Sequence, residues 1–393
     1  MQMLQLITNI KILSFAICGI IFTTHLFANN SQVIHIQSDK TSCALGYGLS
    51  NNLVKDGIIL GDTLNVVYEN LFQGELPPLE TKPSFALNTY NKELKLLDRK
   101  QLSYKNQELA TSAFKCFSSF FINNNFVALM RLNENSKGIY LFDINKGITT
   151  KSFDVLEPQG LDFFNYMTYD TKDRNIIIAG IINNTIHIRE YSLQGKTSDQ
   201  RLNCNMPISA IYELDFTDDC IISITKCADI RKGSSIISIF NKNGSLRGNT
   251  KYNGKVRYLG TVDDSMFFLQ NEKTGRTTTY RIIRYEKDNG YSTQRLGASG
   301  NYIINDYASL DIENRKIQIV KLGIDKLHIL KYGLDAALID KYEYNLPGLY
   351  FNINFVQEFE NCIYIGINYL VKKREIKSTQ MEFSILKINQ RQK

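Results

Sequence analysis

A repeated hairpin constrains the fold of this chain more than any other feature of its sequence. In each copy an apolar strand ends in a bulky residue, usually Tyr or Phe, then a polar turn follows and a further strand begins. We call that last bulky residue the anchor. The anchors follow one another at intervals of between 45 and 56 residues, and they are Tyr90, Phe142, Tyr191, Phe240, Tyr285, Tyr332 and Ile388. Such regular spacing indicates one structural unit that occurs seven times.

A second feature keeps the same interval. Upstream of every anchor after the first, an acidic or Asn-rich turn precedes another apolar run, as at residues 123–125 and at Asp263-Asp264. Asp and Asn favour turns because their side chains bond to nearby backbone and tolerate unusual dihedrals. Each unit is therefore predicted to contain four short strands, which we name a, b, c and d, with the anchor at the end of strand c.

A unit of four short strands at this spacing resembles the blade of a β-propeller. Radial repetition of blades leaves only short, protected sheet edges. The resemblance is to the fold alone, because the chain has no Trp and no Gly-Gly pair, which the Trp-Asp and kelch blade signatures need. We predict an all-β, seven-bladed propeller of four-stranded antiparallel blades. A sandwich or a solenoid of the same hairpins is the alternative.

The last unit has too little chain for its own d strand. Only residues 390–393 follow Asn389. The alternating segment 32–37 reads as a lone strand near the N-terminus. We therefore predict that this N-terminal strand completes the last blade and closes the ring.

The first residues resemble a secretory signal. Lys11 is the only charged residue before an apolar run at residues 12–22, and Ala28 offers a small residue for cleavage. The prediction is a signal peptide at residues 1–28, a single propeller domain at residues 29–393, a secreted or periplasmic location, and no integral membrane span after cleavage. An uncleaved anchor is the alternative, although the run is shorter than the roughly 20 residues of a spanning helix.

Cleavage would leave an even number of cysteines, which an oxidising compartment permits to pair. Cys220 and Cys227 are predicted on one strand, too far apart for a disulfide. Cys204 and Cys227 are predicted near the same end of one hairpin, so they form the candidate disulfide. The alternative is that these cysteines are small buried hydrophobic residues.

Motifs that carry chemistry are absent from the sequence. It contains no phosphate-binding glycine loop, no nucleophile elbow and no zinc-protease or calcium-loop pattern. His187 and His328 each lie four residues before an anchor, in blades far apart in the ring. The acidic pairs Asp218-Asp219 and Asp263-Asp264 are interpreted as turn formers. We predict no catalytic residue, no metal site and no cofactor.

Charge is distributed unevenly between the predicted loops. The b–c loops, which share a face with the channel mouth, are rich in Lys and Arg, whereas the a–b turns on the opposite face are acidic. Within a net charge of +7, this pattern favours anionic ligands at the mouth face. The predicted basic-face residues are Arg231, Lys232, Lys273, Arg276, Lys372, Lys373 and Arg374.

The mouth of the channel is expected at the starts of the a strands. Amides and tyrosines are common there and suit a sugar or a peptide; the alternative is that they only hydrogen-bond across the ring. The candidate ligand-binding residues are Asn165, Tyr166, Tyr212, Arg257, Tyr258, Asn305, Asp306, Asn352 and Asn354.

These features favour a non-enzymatic binding or scaffold protein that recognises a glycan, a peptide or a protein partner through a basic mouth face. Nucleic acid is not expected as a partner, because export would separate the protein from it. The alternative is a propeller enzyme, such as a metal-dependent lactonase or a glycan hydrolase or lyase, which would need acidic residues converging near the axis.

Overall fold

The computed structural model describes residues 33–37, 50–70, 84–104, 107–108, 115–133, 136–157, 163–228, 233–275, 277–297, 300–301, 303, 305–323, 326–346, 349–360, 362–373 and 378–389. The predicted signal peptide lies outside these residues. The described chain forms strands and no helix, so it contains no helix that is long and apolar enough to cross a membrane.

The strands form seven antiparallel blades of four strands each, as predicted. Blades 1 to 3 consist of β2 (Ser50–Leu60), β3 (Thr63–Asn70), β4 (Ser84–Tyr90) and β5 (Leu96–Gln101); β8 (Lys115–Ile122), β9 (Asn125–Asn133), β10 (Ser136–Asp143) and β11 (Thr149–Asp154); and β12 (Tyr166–Asp170), β13 (Asn175–Ile182), β14 (Thr185–Ser192) and β15 (Gly195–Asn203). Blades 4 and 5 consist of β16 (Ile208–Phe216), β17 (Cys220–Cys227), β18 (Ser234–Asn241) and β19 (Leu246–Asn253); and β20 (Lys255–Val262), β21 (Ser265–Thr274), β22 (Thr277–Glu286) and β23 (Gly290–Arg295).

Blades 6 and 7 consist of β25 (Asn305–Asp311), β26 (Lys316–Leu322), β27 (Lys326–Gly333) and β28 (Leu338–Asn345); and β29 (Leu349–Phe359), β30 (Cys362–Lys373), β31 (Ser378–Asn389) and β1 (Val33–Gln37). Three short strands add to this ring. The pair β6 (Ser103–Tyr104) and β7 (Gln107–Glu108) forms a small hairpin, and β24 (Gly300–Asn301) pairs with β22.

The first strand of every blade contacts the first strands of the two neighbouring blades, and blade 7 contacts blade 1 in the same way. The a strands therefore surround a common axis, and the d strands lie outermost. The burial of the strands agrees with this arrangement, since the b strand β17 is almost entirely buried whereas the d strand β5 is mostly exposed.

The anchors explain why the unit repeats. The buried side chains form seven apolar cores, one between each pair of neighbouring blades, and each anchor packs in the core between its own blade and the preceding one. Phe142 joins blades 1 and 2, for example, and Phe240 joins blades 3 and 4. In five blades the d strand also carries a bulge opposite the anchor. The anchor that recurs in the sequence is thus the residue that packs each blade against the preceding one.

The predicted turn residues form the a–b turns. Asp263 and Asp264 both have positive φ, +47° and +60°, in the two-residue turn between β20 and β21. Two consecutive residues with positive φ are typical of the tight hairpin turn that matches strand twist. The interpretation of this acidic pair as a turn former is confirmed.

The ring is closed as the sequence predicts. The N-terminal strand β1 pairs antiparallel with β31, so that Val33 lies opposite Ile388. A second closing contact comes from Phe355, whose ring fills the space that side chains at Gly57 and Gly366 would occupy; a Cβ atom there would lie 2.6 and 2.1 Å from that ring. The N-terminal strand thus completes blade 7, and blades 7 and 1 are joined by a short parallel pairing of β2 with β31 and by the Phe355 ring, which packs on one glycine of each blade.

Substitution of an anchor should destabilise the whole ring. Phe240 is fully buried in the core between blades 3 and 4. We expect Phe240→Ala to lower the free energy of unfolding by about 3–5 kcal/mol, because it removes apolar contacts and leaves a cavity. Leu193→Ala, at a site that is 53% exposed, is the control and should change it by less than about 0.5 kcal/mol. Equal losses in urea denaturation would contradict the role of the anchor.

Candidate functional site

A cavity of about 670 Å³ opens on the mouth face above blades 4, 5 and 6. Its walls come from the ends of strands that meet on this face: the end of β19, the start of β20, the end of β21 and the start of β25. The lining residues are Gly233, Asn253, Gly254, Lys255, Asn271, Glu272, Lys273, Ile303, Asn305 and Asp306. The volume lies within the usual range for small-molecule sites, and most of the lining residues are polar or charged.

The cavity depends on a close backbone approach at Gly254. Its φ is +83°, and a Cβ atom there would lie 2.3 Å from the backbone oxygen of Asn271. Only glycine satisfies both conditions without strain. Gly254 lies in the connection from blade 4 to blade 5 and allows that backbone to contact the backbone near the end of β21. This contact places Lys255 and Asn271 on the same cavity wall.

Asp306 is the centre of a hydrogen-bond network in the cavity wall. Its Oδ2 accepts hydrogen bonds from the Tyr280 hydroxyl at 2.8 Å and from the side-chain amide of Asn271. The Arg257 guanidinium donates to the Asp306 backbone oxygen at 3.3 Å and lies 3.8 Å from its Oδ1. Asp306 is thus held in one orientation by groups from blade 5.

A buried lysine lies beneath the same network. The ammonium group of Lys321 lies 4.0 Å from the centre of the Tyr280 ring, and Lys321 pairs with Asp306 across the β25–β26 ladder. Burial lowers the pKa of Lys321 to about 8, partly opposed by the charge of Asp306. Asp306, Arg257 and Lys321 therefore form a group of interacting charges next to the cavity.

The predicted ligand-binding residues are only partly brought together. Asn305 and Asp306 line the cavity, and Arg257 contacts Asp306. Asn165, just before β12, and Tyr212, in the middle of β16, are exposed and do not line it. Tyr258 lines a pocket on the opposite face, where its hydroxyl lies 2.7 Å from that of Thr261.

Several of the predicted residues hydrogen-bond from one blade to the next. The backbone N–H of Leu214 donates to the Tyr166 hydroxyl at 3.0 Å, and that of Ile353 donates to Asn305 Oδ1 at 3.2 Å. Asn352 and Asn354 share one face, as predicted, and Asn352 donates to Asn354 Oδ1. The alternative interpretation, that these side chains connect the ring, therefore describes part of the set.

Two channel carboxyls were missed by the sequence analysis. Burial raises the pKa of Asp56 in β2 and of Glu213 in β16 to about 7, although hydrogen bonds from backbone N–H groups, at 2.8 Å from Gly57 and from Tyr258 respectively, oppose the shift. Each of these residues directly follows a β-bulge. A bulge interrupts the alternation of side chains between the two faces of a strand, so Asp56 and Glu213 lie on the face opposite to the one that strict alternation predicts. Neither carboxyl lies in one of the acidic turns, so the turn pattern did not point to it.

Lys255, Asn253 and Asn271 were also missed, since only the fold brings these strand ends together. Removal from water lowers the pKa of Lys255, and the neighbouring Arg257 lowers it further. Among the predicted basic-face residues, Lys273 is exposed and lines the cavity. Lys372 and Lys373 end β30, and the other four predicted residues, Arg231, Lys232, Arg276 and Arg374, lie outside the described residues.

The face opposite the mouth contains arginines as well as the predicted acids. Arg247 bonds Asp219 at 2.8 Å, and Arg315 bonds Asp263 at 2.6 Å. The carboxylates of these turns are thus partly neutralised. The acidic character expected of this face is weaker than the turn sequences alone indicate.

The two cysteines of the candidate disulfide lie near the same end of the β16–β17 hairpin. Cys227 ends β17, where it pairs with Ile208, and Cys204 lies just before β16, in the connection from blade 3. Both are buried free thiols in the same core. Cys220 and Cys227 occupy the two ends of β17, as predicted.

The two histidines lie in separate blades. The His187 ring packs edge-on against Phe163 at 5.6 Å, and His328 Nδ1 lies 3.4 Å from a carboxylate oxygen of Glu343. Within the described part of the chain, no group of three or more His, Cys, Asp or Glu side chains is placed to hold a metal ion.

No protein-family model matches this sequence, and no curated protein matches it either. Solved structures do resemble it. The WD40 domain of Toxoplasma gondii coronin has a TM-score of 0.51 at 8% identity, over 93% of this chain and 87% of that one. The polysaccharide lyase Uly1 has a TM-score of 0.50 at 9% identity, over 90% and 93% of the two chains.

A prolyl endopeptidase has a TM-score of 0.51 at 10% identity, over 86% of this chain. The present chain spans about half of that protein, since the match covers 50% of it. The similar structures thus include a lyase, a peptidase and a WD40 domain. At such low identity the likeness shows the propeller fold alone.

The raised pKa of Glu213 predicts a pH-dependent stability. Its pKa is 4.5 when solvated and about 7 in the folded protein, so between these values the folded state holds a proton that the unfolded chain has released. Stability should therefore fall as pH rises through this window, by at most about 1.4 kcal/mol per pH unit from this group. Glu213→Gln removes this dependence.

Urea denaturation between pH 5 and 8 measures the effect. We expect the stability of Glu213→Gln, relative to the parent protein, to increase with pH. Asp288→Asn, which removes an exposed carboxylate on the opposite face, is the control and should show no such trend. A constant difference between Glu213→Gln and the parent protein across this range would contradict a proton held at Glu213.

Proposed function

We propose that this chain is a non-enzymatic binding propeller that takes a glycan or a peptide in the cavity above blades 4 to 6. The observation that carries the proposal is the cavity itself, because it combines amides and charged side chains at one mouth-face site. Polar groups at fixed positions orient a polar ligand. The Asp306 network supports the proposal, since it holds the wall in one geometry before any ligand arrives.

The supporting side chains belong to rigid strands. Lys255, Asn271 and Asp306 lie at the ends of β20, β21 and β25, each paired within its blade. Sites on paired strands are better preorganised than sites on loops, and preorganisation lowers the entropy lost on binding. A scaffold function for the remainder of the ring is compatible with this site, because the described residues of blades 1 to 3 contribute nothing to its lining.

Blocking the cavity should abolish binding without unfolding the protein. Gly233 lines the cavity, has no unusual φ, and has open space around the position of a Cβ atom. Gly233→Tyr should therefore fill the cavity without strain and weaken ligand binding at least tenfold. Gly248→Tyr is the matched control, because Gly248 has equally open surroundings on the outer strand β19 and does not line the cavity.

The measurement is a calorimetric titration of the protein with oligosaccharides and short peptides, and thermal melting confirms that both variants fold. Binding that survives Gly233→Tyr, or that Gly248→Tyr also removes, would contradict the proposed site. The absence of binding by any member of either class would contradict the proposed function.

A propeller enzyme is the second candidate, and the two channel carboxyls favour it. Carboxyl groups with pKa values near 7 are suited to general acid or base catalysis, and such perturbed groups are concentrated at functional sites. The corresponding reaction would be glycan hydrolysis or elimination. Release of shortened saccharides during the titrations, lost in Glu213→Gln, would favour the enzyme over the binding protein.

We propose further that the protein is exported and that residues 1–28 are removed. The charge and apolar run of this segment support the proposal. Mass spectrometry of the protein recovered from the periplasm of an expression host should find a mature N-terminus at Asn29. Deletion of residues 1–28 is the control and should retain the protein in the cytoplasm. A full-length N-terminus in the membrane fraction would instead support an uncleaved anchor.

A further inference from the structure

The charges around the cavity are not balanced, although its lining contains as many acidic as basic side chains. The acidic side chains of the lining already accept hydrogen bonds within the protein. Glu272 accepts a hydrogen bond from Arg281 at 2.6 Å, and Asp306 accepts from Tyr280 at 2.8 Å. Asp306 also lies 3.8 Å from the Arg257 guanidinium, so each carboxylate already has a positively charged neighbour within the protein.

The two lysines of the lining have no such partners. Among the described residues, no carboxylate lies within 4.0 Å of the ammonium group of Lys255 or of Lys273. Both side chains reach solvent at the opening, although part of Lys255 is buried. This burial and the repulsion from the nearby Arg257 guanidinium lower the pKa of Lys255, whereas the charges of Asp306 and Glu213 raise it. An anion that enters the cavity would relieve this repulsion.

Neutral hydrogen-bond donors complement the lysines. Asn305 uses its Oδ1 to accept from Ile353 N–H at 3.2 Å, which leaves its amide N–H₂ as a donor at the cavity wall. The exposed side chain of Asn253 lies on the other side of the opening. Ammonium and amide N–H groups together are suited to an oxyanion and to the hydroxyl groups around it.

Bulky apolar side chains are nearly absent from the described lining of the cavity. Ile303 is the one bulky apolar side chain in the lining that the structure describes. Peptide sites that read side chains generally use apolar pockets or an exposed sheet edge. The lining therefore favours a hydroxyl-rich ligand over a peptide.

We propose that the cavity binds an anionic saccharide, one whose sugar ring carries a carboxylate or a sulfate, and that Lys255 and Lys273 bind the anionic group. This inference rests on the proposed binding function and specifies its ligand class. Asn253 and Asn305 donate to neighbouring hydroxyl groups. The attraction is electrostatic and partly exposed to solvent, so affinity decreases as salt concentration rises.

The full chain is titrated with trigalacturonate, a sulfated galactotriose, neutral galactotriose and a triglutamate peptide, each at low and at physiological salt. We expect at least one of the two acidic saccharides to bind at least tenfold more tightly than the neutral sugar and the peptide, and the difference to shrink with salt. The two acidic probes distinguish a carboxylate from a sulfate as the anionic group.

Lys255→Gln and Lys273→Gln should each weaken binding of that acidic saccharide about tenfold, because a hydrogen bond to a charged group is lost. Lys287→Gln is the control, since it removes the same charge from an exposed turn of blade 5 on the opposite face. It should leave the affinity unchanged. Thermal melting confirms that all three variants are folded.

The outcomes separate this inference from the proposed function. Equal affinity for the acidic and neutral sugars, with binding still lost in Gly233→Tyr, would overturn the inference and leave the binding function standing. Tighter binding of the peptide would also overturn it. If none of these probes binds while a ligand of another class does so at the cavity, the inference fails and the proposed site survives.

Discussion

The structure depends on the burial of both faces of each blade. The b strands present apolar side chains to both sides, as in β17, where nearly every residue is buried. A single blade has no means of covering these two faces, so each blade requires a neighbour on either side. A row of such blades would leave two bare faces at its ends, and the closed ring removes them. The seven apolar cores follow directly from this requirement.

The same requirement explains which features were predictable from the sequence. Tyr90 and Phe142 recur at the same place in their units because each fills the joint to the preceding blade. Asp263 and Asp264 could be recognised because tight turns demand their conformation. Even the closing strand could be found, since the last repeat has too little chain for its own d strand. Repetition supplied the signal in each case.

The candidate site lacks this regularity, and the sequence indicated only part of it. Glu213 and Asp56 follow bulges, so a strict alternation of faces misplaces them. Lys255 and Asn271 share a wall because Gly254 permits a close approach, which no pattern of residue types records. The sequence therefore predicted the features that every blade shares and missed those that occur in one blade only.

The pairing of β1 with β31 has a consequence for the order in which the molecule can form. Val33 and Ile388 lie farther apart in sequence than any other paired strand residues in the described part of the chain. Contacts so distant in sequence are entropically costly until the intervening segments are already compact, and they slow folding. We therefore expect β1 to pair with β31 only after most of the other blades have stacked. Until blades 7 and 1 meet, the stacked blades form an open arc with an uncovered apolar face at each end.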